Sequence, residues 1–300
     1  MKWIARTSFL CATLLCLLIA GCQIHMSSGS KATVRHTRTV ELQTALAPGS
    51  HVELRTAAGS IQVQGADIDV CKLVVTIKTR GETEEEAIKT AEKVIVRFEQ
   101  GKEGLHIKAD TPRFSKGLGI SYHVTVPRET SITCGAASGR IQLADLTGMF
   151  AARTASGSIT CDRMSGESVR LRTASGNMRL SHARLNKCDL LGASGSISCT
   201  DIDCPEIEAK TASGSVTVAC TPSASKELYA RLSTGSGSVS LSLPQGFSGS
   251  MELSAASGSV HTDIPVTVKG TLKKKHLSGT TGEGNGNVRL KTASGSVRVR

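Results

Sequence analysis

The chain has 300 residues, with 36 Lys and Arg against 25 Asp and Glu for a formal net charge of +11, and it is 39 % apolar but only 3 % aromatic. Aromatic side chains ordinarily supply much of a globular core's buried area, so the core here must be built from small and β-branched residues. Thirty Gly without a triplet period and seven Pro exclude a collagen-like rod, a coiled coil and a polytopic membrane protein, and the apolar content is too high for a disordered chain. Length alone suggests about two domains of ~100–200 residues, but this composition does not suit two ordinary ones.

At the N-terminus, Lys2 and Arg6 precede an apolar run from Phe9 to Ile19 and a small-residue cleavage site, Ile19-Ala20-Gly21. The run is too short for the ~20 residues of a spanning helix, so 1–21 read as a signal peptide. Cys22, directly after Ile19-Ala20-Gly21, resembles the lipoprotein box of bacteria. That resemblance implies a diacylated, palmitate-type anchor on Cys22; the alternative is a secretory signal with an incidental cysteine. Two or three acyl chains exceed what stable anchoring requires, which places the mature chain in the cell envelope. Gln23, where lipoproteins of the enteric type carry Asp for inner-membrane retention, directs the expectation to the outer membrane, facing the periplasm or the outside. Residues 22–37, rich in Ser, Gly and Lys, read as a flexible tether. Loss of Lys2 and Arg6 leaves 34 basic against 25 acidic residues, a net charge of +9.

Residues 38–130 read as an α+β cap with the first strands. Thr39–Leu46, His51–Val63 and Cys71–Lys78 alternate with period 2. Thr83-Glu84-Glu85-Glu86 fits a capping box, with Thr83 at the N-cap and Glu86 at N3. Ala87, Ile88, Ala91, Ile95 and Phe98 follow at helical spacing, with Lys89, Lys93 and Arg97 in the later turns as the helix dipole prefers, so a helix is predicted over 83–99. Strands follow at 104–109 and 120–126. A helix laid over the first coil would cover an otherwise exposed sheet end.

The rest of the chain repeats. A-S-G-S strings place glycines at 59, 139, 157, 176, 195, 214, 237, 258 and 295, with intervals of 18, 19, 19 and 19 from Gly139 to Gly214. The intervals then widen to 23, 21 and 37, the last read as two repeats with a degenerate unit between. The second and fourth residues after each glycine are apolar (Ile159/Cys161, Met178/Leu180, Ile197/Cys199, Val216/Val218), as are the fifth and seventh before it (Val169/Leu171, Cys188/Leu190, Ile207/Ala209). Each repeat therefore reads as two short strands joined at a glycine corner. Nineteen residues leave no length for a crossover helix, so like strands stack in parallel at ~4.8 Å. The predicted fold is mainly β: a single-chain parallel β-solenoid over 131–300, continuous with the cap.

Of ten cysteines, Cys11 and Cys16 leave with the signal and Cys22 takes lipid, leaving seven with no C-x-x-C. Cys161 and Cys199 fall on inward positions equivalent to Leu180 and Val218, which makes them small hydrophobes. They read as buried free thiols, with a Cys188–Cys204 bridge as the alternative.

Together these features resemble the putative-adhesin family, a domain of bacterial envelope lipoproteins. The carrying residues are the T-A-S-G-S units at 154–158, 211–215 and 292–296, the strand and proline Tyr122-His123-Val124-Thr125-Val126-Pro127, and the closing run Gly284-Asn285-Gly286-Asn287-Val288-Arg289-Leu290 onward to Gly295. The resemblance spans 38–300, is specific for the fold and implies no catalytic residues; the ladders of outward side chains and the missing catalytic groups read as a surface-display or binding scaffold. The sequence departs from the family pattern in carrying Ser or Asn rather than Asp after most corner glycines, which removes a row of carboxylates and weakens a calcium-binding reading.

No G-x-S-x-G, H-E-x-x-H or Walker motif occurs, and no metal or cofactor is expected. Asp145, Asp162, Asp201 and Asp203 fall in turns, where Asp is favoured for conformational reasons; a polysaccharide-active β-helix enzyme is the least favoured reading, and the chain is read as non-catalytic. Four residues before the glycine, an outward position, stand Arg55, Arg153, Arg172, Lys210 and Lys291, flanked by Arg170 and Arg289, with Arg179 and Arg298 three after it. Arg55, Arg153, Arg172, Arg179, Lys210 and Lys291 are the candidate polyanion-binding residues, for an anionic envelope polysaccharide or lipid head group. The bland reading is a solvated face, and the alternative partner is an envelope protein. Nucleic acid is excluded because no aromatic platform interleaves with the cations. A Thr row three before the glycine, with Ser one before, reads as hydroxyls that satisfy corner backbone groups rather than as an ice-binding array.

Overall fold

The computed structural model describes residues 20–23, 33–102, 104–112, 117–268 and 275–300. The signal stretch 1–19, tether residues 24–32 and the side chain of Cys22 lie outside that description. Within it the chain is mainly β with one helix, an open stack of strands in a solenoid-like arrangement.

The corners set the geometry. All nine A-S-G-S glycines have φ between +119° and +151°, a region open in practice only to glycine. Space imposes the same choice: a Cβ on Gly157 would lie 2.0 Å from the carbonyl oxygen of Gly139, and one on Gly176 2.0 Å from that of Gly157. Every corner N–H except that of Gly258, in the last coil of the stack, donates to a serine carbonyl of the next coil, for example Gly157 to Ser175 and Gly176 to Ser194 at 2.9 Å. Thr154, Thr173, Thr211, Thr234 and Thr292, three before their corners, are buried, and all but Thr154, whose hydroxyl finds no partner among the described residues, donate to a neighbouring corner's glycine carbonyl: Thr173 to Gly157 at 3.3 Å, Thr211 to Gly195 at 3.0 Å, Thr234 to Gly214 at 2.7 Å and Thr292 to Gly237 at 2.8 Å. The threonine row is thus an internal fastening.

Apolar rows run through the stack in register. After the corner, Ile141, Ile159, Met178, Ile197, Val216, Val239 and Val297 align, as do Leu143, Cys161, Leu180, Cys199, Val218, Leu241 and Val299. None of these is more than 2 % exposed. Before the corner, Phe150, Val169, Cys188, Ile207, Ala230 and Val288 form the facing row. Burying one such side chain contributes ~1.5–3 kcal/mol, and each coil gains it only from its neighbours.

The middle coils have a third, short side that the two-strand reading missed. Strands Ile141–Ser156, Ile159–Ser175 and Met178–Ser194 run through both long faces. They turn at Asp145, Arg163 and His182, whose φ is +50° to +56°. Asp201 turns the next coil the same way, with φ +55°. Leu146, Met164, Ala183 and Ile202 point inward from this side.

At the N-terminal end, Ile61–Ala66 pairs directly with 141–144, and His51–Ala58 with Ser131–Ser138, so the Gly59 coil belongs to the stack. Residues 67–130 are an excursion that extends both faces. Gly119–Pro127 adds in parallel to Ile61–Ala66, and Val70–Gly81 and Val34–Ala45 follow antiparallel. On the other face Leu105–Asp110 adds in parallel to His51–Ala58, then Ile95–Gln100 antiparallel. Strand Val34–Ala45 begins within the segment read as tether, because its pairing with Val70–Gly81 runs the full length of both strands.

Helix α1 spans Glu84–Glu92 and buries Ala87 and Ala91. The Thr83 hydroxyl accepts from the Glu86 N–H at 3.2 Å, and the Glu86 carboxylate accepts from the Glu82 N–H at 2.9 Å. Thr79 donates to the Ala87 carbonyl at 2.8 Å, and Arg38 donates to the carbonyls of Ala91 at 2.9 Å and Val94 at 3.1 Å, tying the helix to Val70–Gly81 and Val34–Ala45. The predicted helix over 83–99 is too long. The β-branched run Val94-Ile95-Val96 favours extended backbone, and Ile95–Gln100 pairs with Leu105–Asp110 instead. Ile95, assigned to the helix's apolar stripe, is 59 % exposed.

The C-terminal end departs from chain order. The final coil, Gly286–Ser294 with Val297–Val299, is inserted between the Gly237 and Gly258 coils. A Cβ on Gly295 would meet the Gly237 carbonyl oxygen at 2.2 Å, and one on Gly258 that of Gly295 at 2.0 Å. In place of the expected degenerate repeat, His276–Thr281 runs antiparallel along Gly249–Ser257 and covers the edge of that face. The body of the stack is parallel, and both ends finish in antiparallel strands.

Seven cysteines are free and buried. Burial pushes the thiols of Cys71, Cys134, Cys199 and Cys220 up to about 12, so at neutral pH they are inert thiols rather than nucleophilic thiolates. Cys161 and Cys199 lie in one row with Leu180 and Val218, as their spacing predicts. Cys188 and Cys204 are both free, and the Cys204 thiol donates to the Glu206 carbonyl at 3.1 Å.

Candidate functional site

Strand alternation sends every second side chain of the pre-corner face outward. Four before the corner, the register stacks Arg55, Gly135, Arg153, Arg172, Leu191, Lys210, Ser233 and Lys291 in that order. The row read from the sequence is therefore interrupted, and only Arg153 and Arg172 are immediate neighbours. Arg179 does not belong to it. That residue stands on the outer side of the other long face, in register with Gln142, Thr160 and Ser198, because three residues past the corner the chain has already turned.

Acids on the same face take up much of the charge. Arg55 pairs with Glu53 at 2.9 Å, Arg172 clasps Asp189 through two bonds of 2.8 and 2.5 Å, and Lys291 lies 3.3 Å from Glu252. Lys210 pairs with Glu208. Among the described residues Arg153 has no ion-pair partner, and it is exposed.

The residues two before the corner complete the surface. In the repeat Thr-Ala-Ser-Gly the alanine points out, so Ala137, Ala155, Ala174 and Ala193 combine with Gly135 and Ala151 into a floor of methyls and backbone. Above it lies an open trough of about 850 Å³, with Arg55, Arg153, Arg170, Arg172 and Leu191 as its walls. Guanidinium groups beside an apolar floor suit a ligand with a flat, weakly hydrated face and spaced anions. Each exposed charge contact contributes only ~0.2–1 kcal/mol and is screened over ~8 Å at physiological salt, so affinity here depends on several contacts acting together.

Of the acids considered for catalysis, Asp145, Asp162 and Asp201 are engaged structurally. Arg163 donates to Asp145 at 2.6 and 2.8 Å, Gln64 donates to it at 2.6 Å, and His182 lies 2.8 Å from Asp162. The Arg163 guanidinium, then the Gln64 amide, hold the Asp145 carboxyl down at about 2. A carboxylate with a lower pKa in the folded chain than in the unfolded one stabilises the fold above ~4, and this is lost as pH falls toward ~2. Asparagine tolerates the left-handed φ of +56° at this position. Asp145→Asn should therefore keep the corner, lower stability at neutral pH, and flatten the decline between about pH 4 and 2 in urea melts; an unchanged acid limb would show that the pair does not stabilise the fold. Among the described residues no group of three or more His, Cys, Asp or Glu side chains is arranged to hold a metal ion, and no helix is long and apolar enough to cross a membrane.

The stacked glycine corners, open ends and long outward rows define a solenoid-like β protein. Residues 49–300 match the family DUF4097, described as Toastrack, and the chain belongs to that family. Among solved structures it is similar to a putative adhesin from Bacteroides fragilis (TM-score 0.50, 12 % identity, covering 87 % of this chain and 97 % of that one). It is also similar to a putative adhesin from Parabacteroides merdae (TM-score 0.44, 10 % identity, covering 87 % and 96 %). The Bacteroides fragilis likeness supports the fold. No curated protein matches the chain.

Proposed function

We propose that the protein is a non-catalytic scaffold of the bacterial cell envelope, anchored by lipid on Cys22, that holds an anionic envelope polysaccharide in the trough of its pre-corner face. The observation that carries this reading is the alanine-floored trough walled by Arg55, Arg153 and Arg172, with Arg153 lacking an ion-pair partner among the described residues. The net charge supports it, as does the description of the Bacteroides fragilis structure as a putative adhesin. The lipid-box residues Ile19-Ala20-Gly21-Cys22 carry the anchor, so Cys22→Ser shifts the protein from the membrane to the soluble fraction.

Replacing Arg55, Arg153 and Arg172 together by Ser weakens retention on immobilised polygalacturonate about tenfold, given ~0.2–1 kcal/mol per exposed charge. Wild-type binding falls as salt rises, and Arg179→Ser on the other face leaves it intact. Binding that ignores salt, or survives the triple replacement, rejects the reading. A second reading, strand addition by an envelope protein, draws on Ile95–Gln100, which among the described residues pairs only with Leu105–Asp110 and exposes Ile95. It predicts a partner that the triple variant still holds.

A further inference from the structure

Later in the stack, the same outward face carries a second concavity with a different chemistry. Tyr229 opens the strand Tyr229–Ser236, in register with Glu206 on one side and Asn287 on the other. Backbone bonds fix it there: the Tyr229 N–H donates to the Pro205 carbonyl and the Asn287 N–H to the Leu228 carbonyl, both at 2.8 Å. A hollow of about 500 Å³ lies among Asn186, Glu206, Glu208, Tyr229, Arg231 and Asn287.

Four features of the hollow call for a ligand. The chain has two tyrosines; Tyr122 is 2 % exposed, whereas Tyr229 is 49 % exposed and presents an aromatic ring to solvent in a protein nearly devoid of them. Arg231 stands in register between Glu208 and Arg289, whose charges are taken by Lys210 and Glu252, and among the described residues it has no ion-pair or hydrogen-bond partner. Asn287 uses its amide NH₂ on the Ser250 hydroxyl at 2.9 Å, which leaves its carbonyl oxygen to accept. Glu206 is oriented by Lys187 at 2.5 Å.

An aromatic face beside planar guanidinium, carboxylate and amide groups matches a pyranose ring. The C–H face of a sugar lies on the aromatic ring, while vicinal hydroxyls accept from Arg231 and donate to the Glu208 and Asn287 oxygens. Acids and bases around the hollow nearly balance, which favours a neutral sugar over an anionic one. We infer that this hollow is a binding site for a neutral glycan, with Tyr229 as the stacking platform and Arg231, Glu208 and Asn287 as the hydroxyl-reading groups. The site is independent of the arginine trough.

The test is titration of the mature protein with cellotetraose, maltotetraose and tri-N-acetylchitotriose, read by Tyr229 fluorescence and by amide shifts around Tyr229 and Arg231. At least one saccharide saturates the site below about 10 mM and is insensitive to salt. Tyr229→Ala and Arg231→Ala each weaken it roughly tenfold, while Tyr229→Phe, which keeps the ring, stays within about twofold of wild type. The Ser triple of the trough leaves it unchanged, which separates the two sites. Because Tyr229 is half exposed, Tyr229→Ala retains the wild-type melt. The inference is overturned if none of the three saccharides binds, or if binding persists undiminished in Tyr229→Ala.

Discussion

Gly157→Ala destabilises the protein by at least ~3 kcal/mol, a large share of the ~5–15 kcal/mol that holds an ordinary domain together. Two costs add. At φ +151° an L-residue is forced into a region it essentially never occupies, at ~1–3 kcal/mol. The new methyl group would also sit 2.0 Å from the Gly139 carbonyl oxygen, and neither backbone can yield without breaking the hydrogen bonds of Gly139 to Ser156 and Gly157 to Ser175. The effect stays with neighbouring coils, because a solenoid's contacts are local. Urea denaturation with Ser156→Ala as an exposed control, expected within about 0.5 kcal/mol of wild type, measures it. A Gly157→Ala protein within about 1 kcal/mol of wild type would mean that the corners tolerate side chains and do not set the stack.

Ile197→Asp has the second large effect, through the interior. Ile197 is 1 % exposed and lies in register between Met178 and Val216. The row around it is apolar throughout, so the introduced carboxylate finds no cation. Burial of an unpaired polar group, several kcal/mol, adds to the lost packing of a large core side chain at ~2–5 kcal/mol, and cooperative melting of the coils around Gly195 disappears. Ile197→Val, costing ~0.5–1.5 kcal/mol, retains a sharp transition near the wild-type temperature. Wild-type-like melting of the Asp variant in a circular-dichroism scan would place residue 197 outside the core.

Much of the architecture can be read from period and glycine alone. A-S-G-S at fixed spacing demands a positive-φ corner, and apolar residues at every second position on each side of it demand an enclosed interior; Cys161 and Cys199 follow from the same register. What escapes this reasoning depends on non-local pairing. Nothing in residues 258–295 announces that the last coil is inserted one place back, since Gly295 meets Gly237 and Gly258 equally well as a stacking neighbour. The end of α1 at Glu92 is set by a strand partner beyond residue 104, which a helical period cannot reveal. Arg179 reads as part of a cationic row only until the corner is built, when three residues become enough to turn the chain onto another face. The outward alanines were visible as small residues, but their role as a trough floor needs the coils side by side. The third side has its own signal in the sequence, an apolar residue seven after the corner glycines of the middle coils (Leu146, Met164, Ala183, Ile202).

The stack also explains how a chain poor in aromatics and strongly basic can offer a specific surface. Repetition sets each outward side chain ~4.8 Å from its equivalent, so single substitutions on a repeat become neighbours on a face. Arginine at two adjacent repeats with alanine beside it makes the trough, while tyrosine at one repeat and asparagine at the next make the hollow.

The most direct test is a distance between corners. Ser138 and Ser236 are exposed and separated by 98 positions in the chain, yet the register through Ser156, Ser175, Ser194 and Ser213 puts them five strand spacings apart. Spin labels on cysteines introduced at these two serines, with the buried native thiols unreactive, should give a narrow electron–electron distance distribution centred near ~24 Å. A broad distribution, or a centre beyond about 40 Å, would contradict stacked coils and with them both proposed sites.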